Sequence, residues 1–179
     1  MANYVYIATS LDGFIATPDG GIDWLDEIPN PDQSDFGYGE FMGRVDAIVM
    51  GRNSFEKVLT FGTWPYEKPV FVLSHTLDHI PENLTDKAEI ISSDKIKTLV
   101  EKLNQRGYHN LYVDGGRTIQ SFLAEDLIDG MTITRVPILL GDGIPLFGKL
   151  ITQLKFQHQK TELFNNTLVK SFYIRLRDD

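Results

Sequence analysis

Residues Val49–Glu56 read VMGRNSFE. An apolar run, Ala47–Met50, passes straight into Gly51-Arg52-Asn53-Ser54, and a helix-compatible stretch follows. This places a glycine, a cation and two small polar side chains at a strand's end and a helix's start. A helix N-terminus carries partial positive charge and free N–H groups. Gly51 lets a ligand approach the backbone, and Arg52 can grip phosphate with its planar fork. The run reads as half of a phosphate clamp for a nucleotide. Its plain alternative is a strand-to-helix turn capped by Asn53 or Ser54.

A second run has the same build. Tyr112–Leu123 reads YVDGGRTIQSFL: a short apolar strand (Leu111–Val113), glycines, Arg117, Thr118, then a helix with Ile119, Phe122 and Leu123 on its apolar side. Two strand–Gly–Arg–hydroxyl–helix units suggest two sides of one dinucleotide site, since ligands of open α/β sheets collect at the carboxyl ends of strands. Neither run is a G-x-G-x-x-G or a Walker loop, so the usual fingerprints are absent.

The chain has 179 residues, a length that fits one domain, expected over 1–179. Hydrophobic residues make up 42% and charged residues 23%, the balance of a soluble globular protein. The net charge of -8 argues against a nucleic-acid partner, because affinity for a phosphate backbone needs clustered Lys and Arg. The acidic excess reads as a solvated surface. The absence of cysteine excludes disulfides, thiolate metal sites and a Cys nucleophile, and fits a cytoplasmic location. Met1–Ile7 is strand-like and lacks the layout of a signal peptide, and no run reaches the length of a membrane span, so no membrane partner is expected. His75 and His79 are four apart, but Pro81 and the loop context argue against a helical metal pair, and no metal is expected.

Strands are expected at Tyr4–Ala8, Ala47–Met50, Val70–Leu73, Glu89–Ile91, Asn110–Val113 and Met131–Val136. Ser10–Asp23 is turn-rich, with Phe14 and Ile15 as a short extended piece. Asp35–Val45 reads as a helix weakened by Gly37, Gly39 and Gly43. Ser93–Arg106 is the clearest helix, with Ile96, Leu99, Val100 and Leu103 in helical spacing, Ser92 or Ser93 as cap, and Gly107 ending it. Another helix starts at Thr118. Pro137–Phe147 reads as an apolar loop. Phe156–Leu163 and Thr167–Leu176 form a hairpin around Asn165-Asn166, with Phe172, Ile174 and Leu176 alternating with Ser171, Tyr173 and Arg175 as in a half-buried strand. The fold class is α/β: a mostly parallel central sheet with an antiparallel C-terminal edge and flanking helices.

Together, Ile7–Ala16 (IATSLDGFIA), Trp24, Val49–Glu56, Phe71–Thr76 (FVLSHT), Val113–Leu123 and Ile133–Val136 (ITRV) resemble the dihydrofolate reductase fold over most of the chain. Ser10-Leu11-Asp12-Gly13 and Gly141-Asp142-Gly143 resemble the reductase domain of bifunctional riboflavin-biosynthesis deaminase-reductases. More closely, the chain looks like the bacterial stand-alone dihydrofolate reductase family proteins related to that domain. No zinc-deaminase signature accompanies it. Dihydrofolate reductases often carry three glycines where this chain has Asp114-Gly115-Gly116, and the acid favours the riboflavin-type subgroup.

The resemblance implies NADPH binding and hydride transfer to a small pteridine- or pyrimidine-like substrate, of the 5-amino-6-(5-phosphoribosylamino)uracil type. It implies that Gly51, Arg52, Asn53 and Ser54 hold cofactor phosphates, and that Ser74, His75 and Thr76 surround the adenosine 2′-phosphate. Gly115, Gly116, Arg117 and Thr118 would lie beneath the pyrophosphate, with a constrained and cis Gly115–Gly116 bond. Ala8 and Ile15 would flank the nicotinamide. A homodimer is implied too, with Pro137–Phe147 and the last strand offering apolar surface. A true dihydrofolate reductase and a catalytically inactive NADPH-binding protein are the alternatives.

Reduction also needs a proton source. A carboxylic acid in an apolar pocket can serve, because desolvation raises its pKa. Asp35 lies sixteen residues before Gly51, on the helix whose counterpart carries the active-site acid in dihydrofolate reductases, with Thr134 as its supporting hydroxyl. Asp35 as a helix N-cap is the competing reading. Asp12 is the second candidate acid, against a turn-forming Asp-Gly. Trp24 would wall the substrate pocket, or serve as core.

Overall fold

The computed structural model describes residues 1–177; Asp178 and Asp179, included in the expected domain, lie outside the described residues. Its strands are β1 (Ala2–Thr9), β2 (Phe14–Ala16), β3 (Ala47–Gly51), β4 (Val70–Leu73), β5 (Ala88–Ile91), β6 (Asn110–Asp114), β7 (Gly130–Arg135), β8 (Ile144–Pro145), β9 (Lys155–Phe164) and β10 (Leu168–Leu176). The helices are α1 (Tyr38–Met42), α2 (Arg52–Leu59), α3 (Ile96–Gln105) and α4 (Gly116–Ala124). Eight strands form one sheet in the order β5-β4-β3-β6-β1-β7-β10-β9. From β5 to β7 every pairing is parallel; β10 then pairs antiparallel with β7 and β9.

The parallel centre follows from the sequence. Ala47, Ile48, Val49 and Met50 are all fully buried, as a strand covered on both faces must be. On one face Leu99 and Leu103 of α3 and Ile119 and Phe122 of α4 pack on Val49, Leu111 and Val113. On the other, Phe41 of α1 and Phe55 of α2 pack on Ile48, Met50 and Tyr112. No helix among the described residues is long and apolar enough to cross a membrane.

Four local expectations are corrected. The helix expected over Asp35–Val45 is only Tyr38–Met42, because Gly37 sits at φ 85 and the Asp35 carboxylate takes the Gly37 and Gly39 N–H groups at 2.8 and 2.9 Å. Helix α3 begins at Ile96 and has no serine cap: the Glu125 carboxylate, from beyond α4, accepts the Ile96 and Lys97 N–H groups at 2.8 and 2.9 Å. The Pro137–Phe147 loop contains β8, which pairs with β2 as a separate two-stranded ribbon. In β10, Ile174 and Leu176 are exposed, while the Arg175 side chain is covered and paired to Asp126 at 2.7 Å.

Candidate functional site

Strands β3 and β6 are parallel neighbours, so their two Gly-Arg turns open side by side at the carboxyl edge of the sheet. Each turn fills the space left by the other's glycine. A Cβ on Gly51 would stand 2.9 Å from the Thr118 Oγ1, and a Cβ on Gly115 only 2.3 Å from the Ser54 Oγ. Gly115 also sits at φ 89, where a side chain is strained. The hydroxyls of the two runs thus interlock across the strand pair.

Glycines Gly51 and Gly115 occupy the cap positions of α2 and α4, and neither helix has a side-chain cap. The run is a strand-to-helix turn, and Asn53 and Ser54 lie inside α2 rather than capping it. The first-turn N–H groups of both helices, which lack intrahelical acceptors, are left for an anion. Arg52 and Arg117 are exposed beside them. Arg52 Nη1 donates to the Thr76 Oγ1 at 3.0 Å, which draws the Ser74–Thr76 segment to the first clamp. Ser74 is buried; its Oγ accepts the Thr76 and Leu77 N–H groups at 3.1 and 2.9 Å and shapes that turn. His75 is exposed and, with Ser74, Ser93, Asp94 and Ser121, borders an open cleft of about 380 Å3. The Gly115–Gly116 bond is trans, contrary to the cis bond the resemblance implied. The φ of 89 at Gly115 supplies the sharp turn instead.

Beside the second clamp, Ile15 and Ile144 of the β2–β8 ribbon reach Gly116, each 3.0 Å from where its Cβ would be. Ala8 packs against the buried cluster of Trp24, Val136 and Leu168. Thr134 is buried on β7, in register between Ala8 and Lys170. It is not joined to Asp35, whose two oxygens go to Gly37 and Gly39. These backbone bonds lower the pKa of the exposed Asp35 carboxyl. Asp12 is likewise exposed and held low, by the Ser10 hydroxyl at 2.6 Å and by the Gly141 and Leu140 N–H groups. It ties the Ser10–Gly13 turn to the Gly141–Gly143 loop, and so fixes the β2–β8 ribbon. Both nominated acids have their oxygens engaged by nearby N–H and hydroxyl donors, an arrangement that suits caps and ties.

Sequence reasoning noted Asp114 only as a departure from three glycines. The structure places it on the sheet face of Tyr112, near Tyr38 and Tyr66. Burial pushes its pKa up, against the Gly115 N–H at 2.9 Å and the Tyr112 hydroxyl. The same burial, with the Asp114 charge second, raises Tyr38 to about 12. Asp114 is thus a carboxyl disposed to hold a proton, one residue from the clamp. The signal in the sequence was an acid at the end of an apolar strand, directly before the paired glycines.

A family described as the RibD C-terminal domain matches residues 4–170. The chain belongs to the RibD C-terminal domain family. It is 36% identical to the uncharacterized Bacillus subtilis protein YwjB over 175 residues, 96% of each chain. A Shewanella sp. PV-4 structure, described provisionally as a riboflavin biosynthesis protein, has 50% identity and a TM-score of 0.95, covering 99% of this chain and 100% of that one. Dihydrofolate reductase from Enterococcus faecalis superposes with a TM-score of 0.64 at 16% identity, covering 97% of this chain and 96% of that one, and so shares the fold. The RibD-type subgroup and the dihydrofolate reductase-like fold expected from the sequence are both found. Asp12 and Gly141, part of the pattern that marked the riboflavin-type subgroup, are joined directly at 2.8 Å.

Proposed function

We propose that this chain is an NADPH-dependent reductase of a small pyrimidine- or pteridine-like heterocycle. Membership of the RibD C-terminal domain family supports a reductase. One observation carries the cofactor assignment: two uncapped helix N-termini interlocked through Gly51–Thr118 and Gly115–Ser54, flanked by Arg52 and Arg117. A dinucleotide's pyrophosphate fits this junction, because it needs convergent N–H groups and close backbone approach. Reduced nicotinamide would supply a hydride. A C=N bond that accepts it at carbon also takes a proton at nitrogen; burial, which pushes the Asp114 carboxyl up, makes it the candidate to hold that proton. Ile15 and Trp24 would keep water from the reacting end. Both Asp35 oxygens are taken by the Gly37 and Gly39 N–H groups, which makes a true dihydrofolate reductase the weaker assignment.

The test is a fluorescence titration with NADPH and NADH. NADPH should bind more tightly, because His75, Arg52 and Arg117 are the available partners of a 2′-phosphate. Arg52→Ala and Arg117→Ala should each weaken NADPH binding by about 1.5–3 kcal/mol, the worth of a charge-assisted bond. Equal affinities for the two cofactors, or unchanged binding in both variants, would overturn the assignment. We further propose that the protein is a homodimer, through the open face of β7, β10 and β9.

A further inference from the structure

Asp114 stands at the root of both clamps. It pairs in register with Met50, so β3 and β6 turn into Gly51 and Gly115 side by side, one residue later. It is half-buried, and its Oδ1 accepts the Gly115 N–H at 2.9 Å, at the cap position of α4. Around it stand Tyr112 of β6, Tyr38 of α1 and Tyr66 of the segment before β4, and the Asp114 charge acts on all three hydroxyls. Burial raises Tyr38 to about 12 and pushes Tyr66 and Tyr112 up as well. Tyr6 of β1, whose carbonyl meets the Tyr112 hydroxyl, is raised to about 12 too. Arg52 of α2 and Arg117 of α4 are exposed, and no Lys or Arg pairs with Asp114 among the described residues. Asp114 is therefore the group of this cluster that titrates first as pH rises.

The hydrogen bonds around it differ between its two states. The Tyr112 hydroxyl has one hydrogen, which it donates to the Tyr6 carbonyl at 3.0 Å. An ionised Asp114 competes with that carbonyl for the same hydrogen, and one of the two acceptors goes without. A protonated Asp114 donates to the Tyr112 oxygen instead, and both bonds are made. Burial works in the same direction. A pyrophosphate between the two turns adds a third influence. It brings two negative charges beside the carboxyl, and like charges at close range disfavour the ionised form.

We propose that the clamp is proton-linked: a pyrophosphate held between the Gly51 and Gly115 turns draws a proton from water onto the Asp114 carboxyl. This rests on the dinucleotide reading of the two turns. Cofactor binding then protonates the same carboxyl that is the candidate donor to the substrate nitrogen, so hydride and proton reach the site together. The probe is ADP-ribose, whose pyrophosphate is doubly charged and which lacks the titrating 2′-phosphate of NADPH. Calorimetric titration in two buffers of different ionisation heat counts the protons exchanged. The native protein should take up about half a proton or more per ligand at some pH between 5 and 8, and its affinity should fall about threefold or more across that range. Asp114→Asn and Asp114→Ser both keep an acceptor for the Gly115 N–H and lack the charge. Each should bind ADP-ribose without that uptake and with affinity nearly independent of pH. His75→Gln, which removes the imidazole bordering the neighbouring cleft, should keep the native uptake. Binding without proton uptake in the native protein overturns the proposal, as does an uptake that survives in the Asp114 variants or vanishes in His75→Gln. Failure of the native protein to bind ADP-ribose at any pH is the separate result that removes the dinucleotide reading, and this inference with it.

Discussion

At the residue scale the site depends on atoms that are absent. Gly51 has an ordinary φ of −79, so only the Thr118 hydroxyl forbids a side chain there. Gly51→Ala should lower the stability of the ligand-free protein by about 1–3 kcal/mol, the usual cost of overpacking. Thr118→Ala in the same chain should recover about 1 kcal/mol of it, as contacting residues couple. Gly115→Ala should be rescued less by Ser54→Ala, because its φ of 89 stays strained after the hydroxyl is gone. Denaturant titration of the two cycles checks this; equal rescue would contradict it. Asp114 gives the opposite kind of prediction. Its folded pKa is raised, so between the unfolded and folded values the native state binds more protons and stability falls as pH rises. Asp114→Asn keeps an acceptor for the Gly115 N–H and removes the charge. It should therefore melt above the native protein at pH 8, with the difference fading toward pH 3. A difference independent of pH would show that the Asp114 carboxyl is not the cause.

At the element scale, helix α3 is held at its start by a residue remote in sequence. Glu125→Ala should cost about 1 kcal/mol, as loss of a cap does, and lower the melting temperature by about 2–4 °C. Ser93→Ala should change little, since its hydroxyl donates to the Lys95 carbonyl instead of capping the helix. A larger loss for Ser93→Ala would reverse that assignment. This helix also shows what was legible in the sequence. The spacing of Ile96, Leu99 and Leu103 located it, and those three residues are its buried ones. The cap was illegible because it comes from another element. The two clamps were legible because glycine, arginine and hydroxyl residues are local signals at strand ends. Asp35 misled for the converse reason: a carboxylate before a glycine-rich helix looks the same in sequence whether it binds a ligand or two backbone N–H groups. The loop entering α1 was also hidden. Phe36 has φ 53, and its carbonyl is fixed by the Tyr6 hydroxyl at 2.7 Å and the Lys170 ammonium at 2.6 Å, contacts across more than a hundred residues in the second case.

At the scale of the whole molecule, the sheet is covered unevenly. Helices α3 and α4 cover β3, β4 and β6 on one face, and that cover runs out toward β7, β10 and β9. There Met131, Ile133, Phe147, Phe156, Val169 and Tyr173 border a groove of about 300 Å3. Phe147 is 52% exposed and Val169 40%, and Leu150 and Ile151 are exposed close by in sequence. Contiguous apolar surface of this kind marks a contact, and a two-fold pair would bury the same patch from each copy. Val169→Asp places a charge on this face without touching the cleft, so it should dissociate the pair and leave NADPH affinity unchanged. Sedimentation across a dilution series should give twice the 20.3 kDa chain mass for the native protein and the single-chain mass for the variant. A single-chain mass for the native protein at every micromolar concentration rules out the dimer. A variant that stays paired moves the interface off this face, to a surface that a carboxylate at Val169 does not reach.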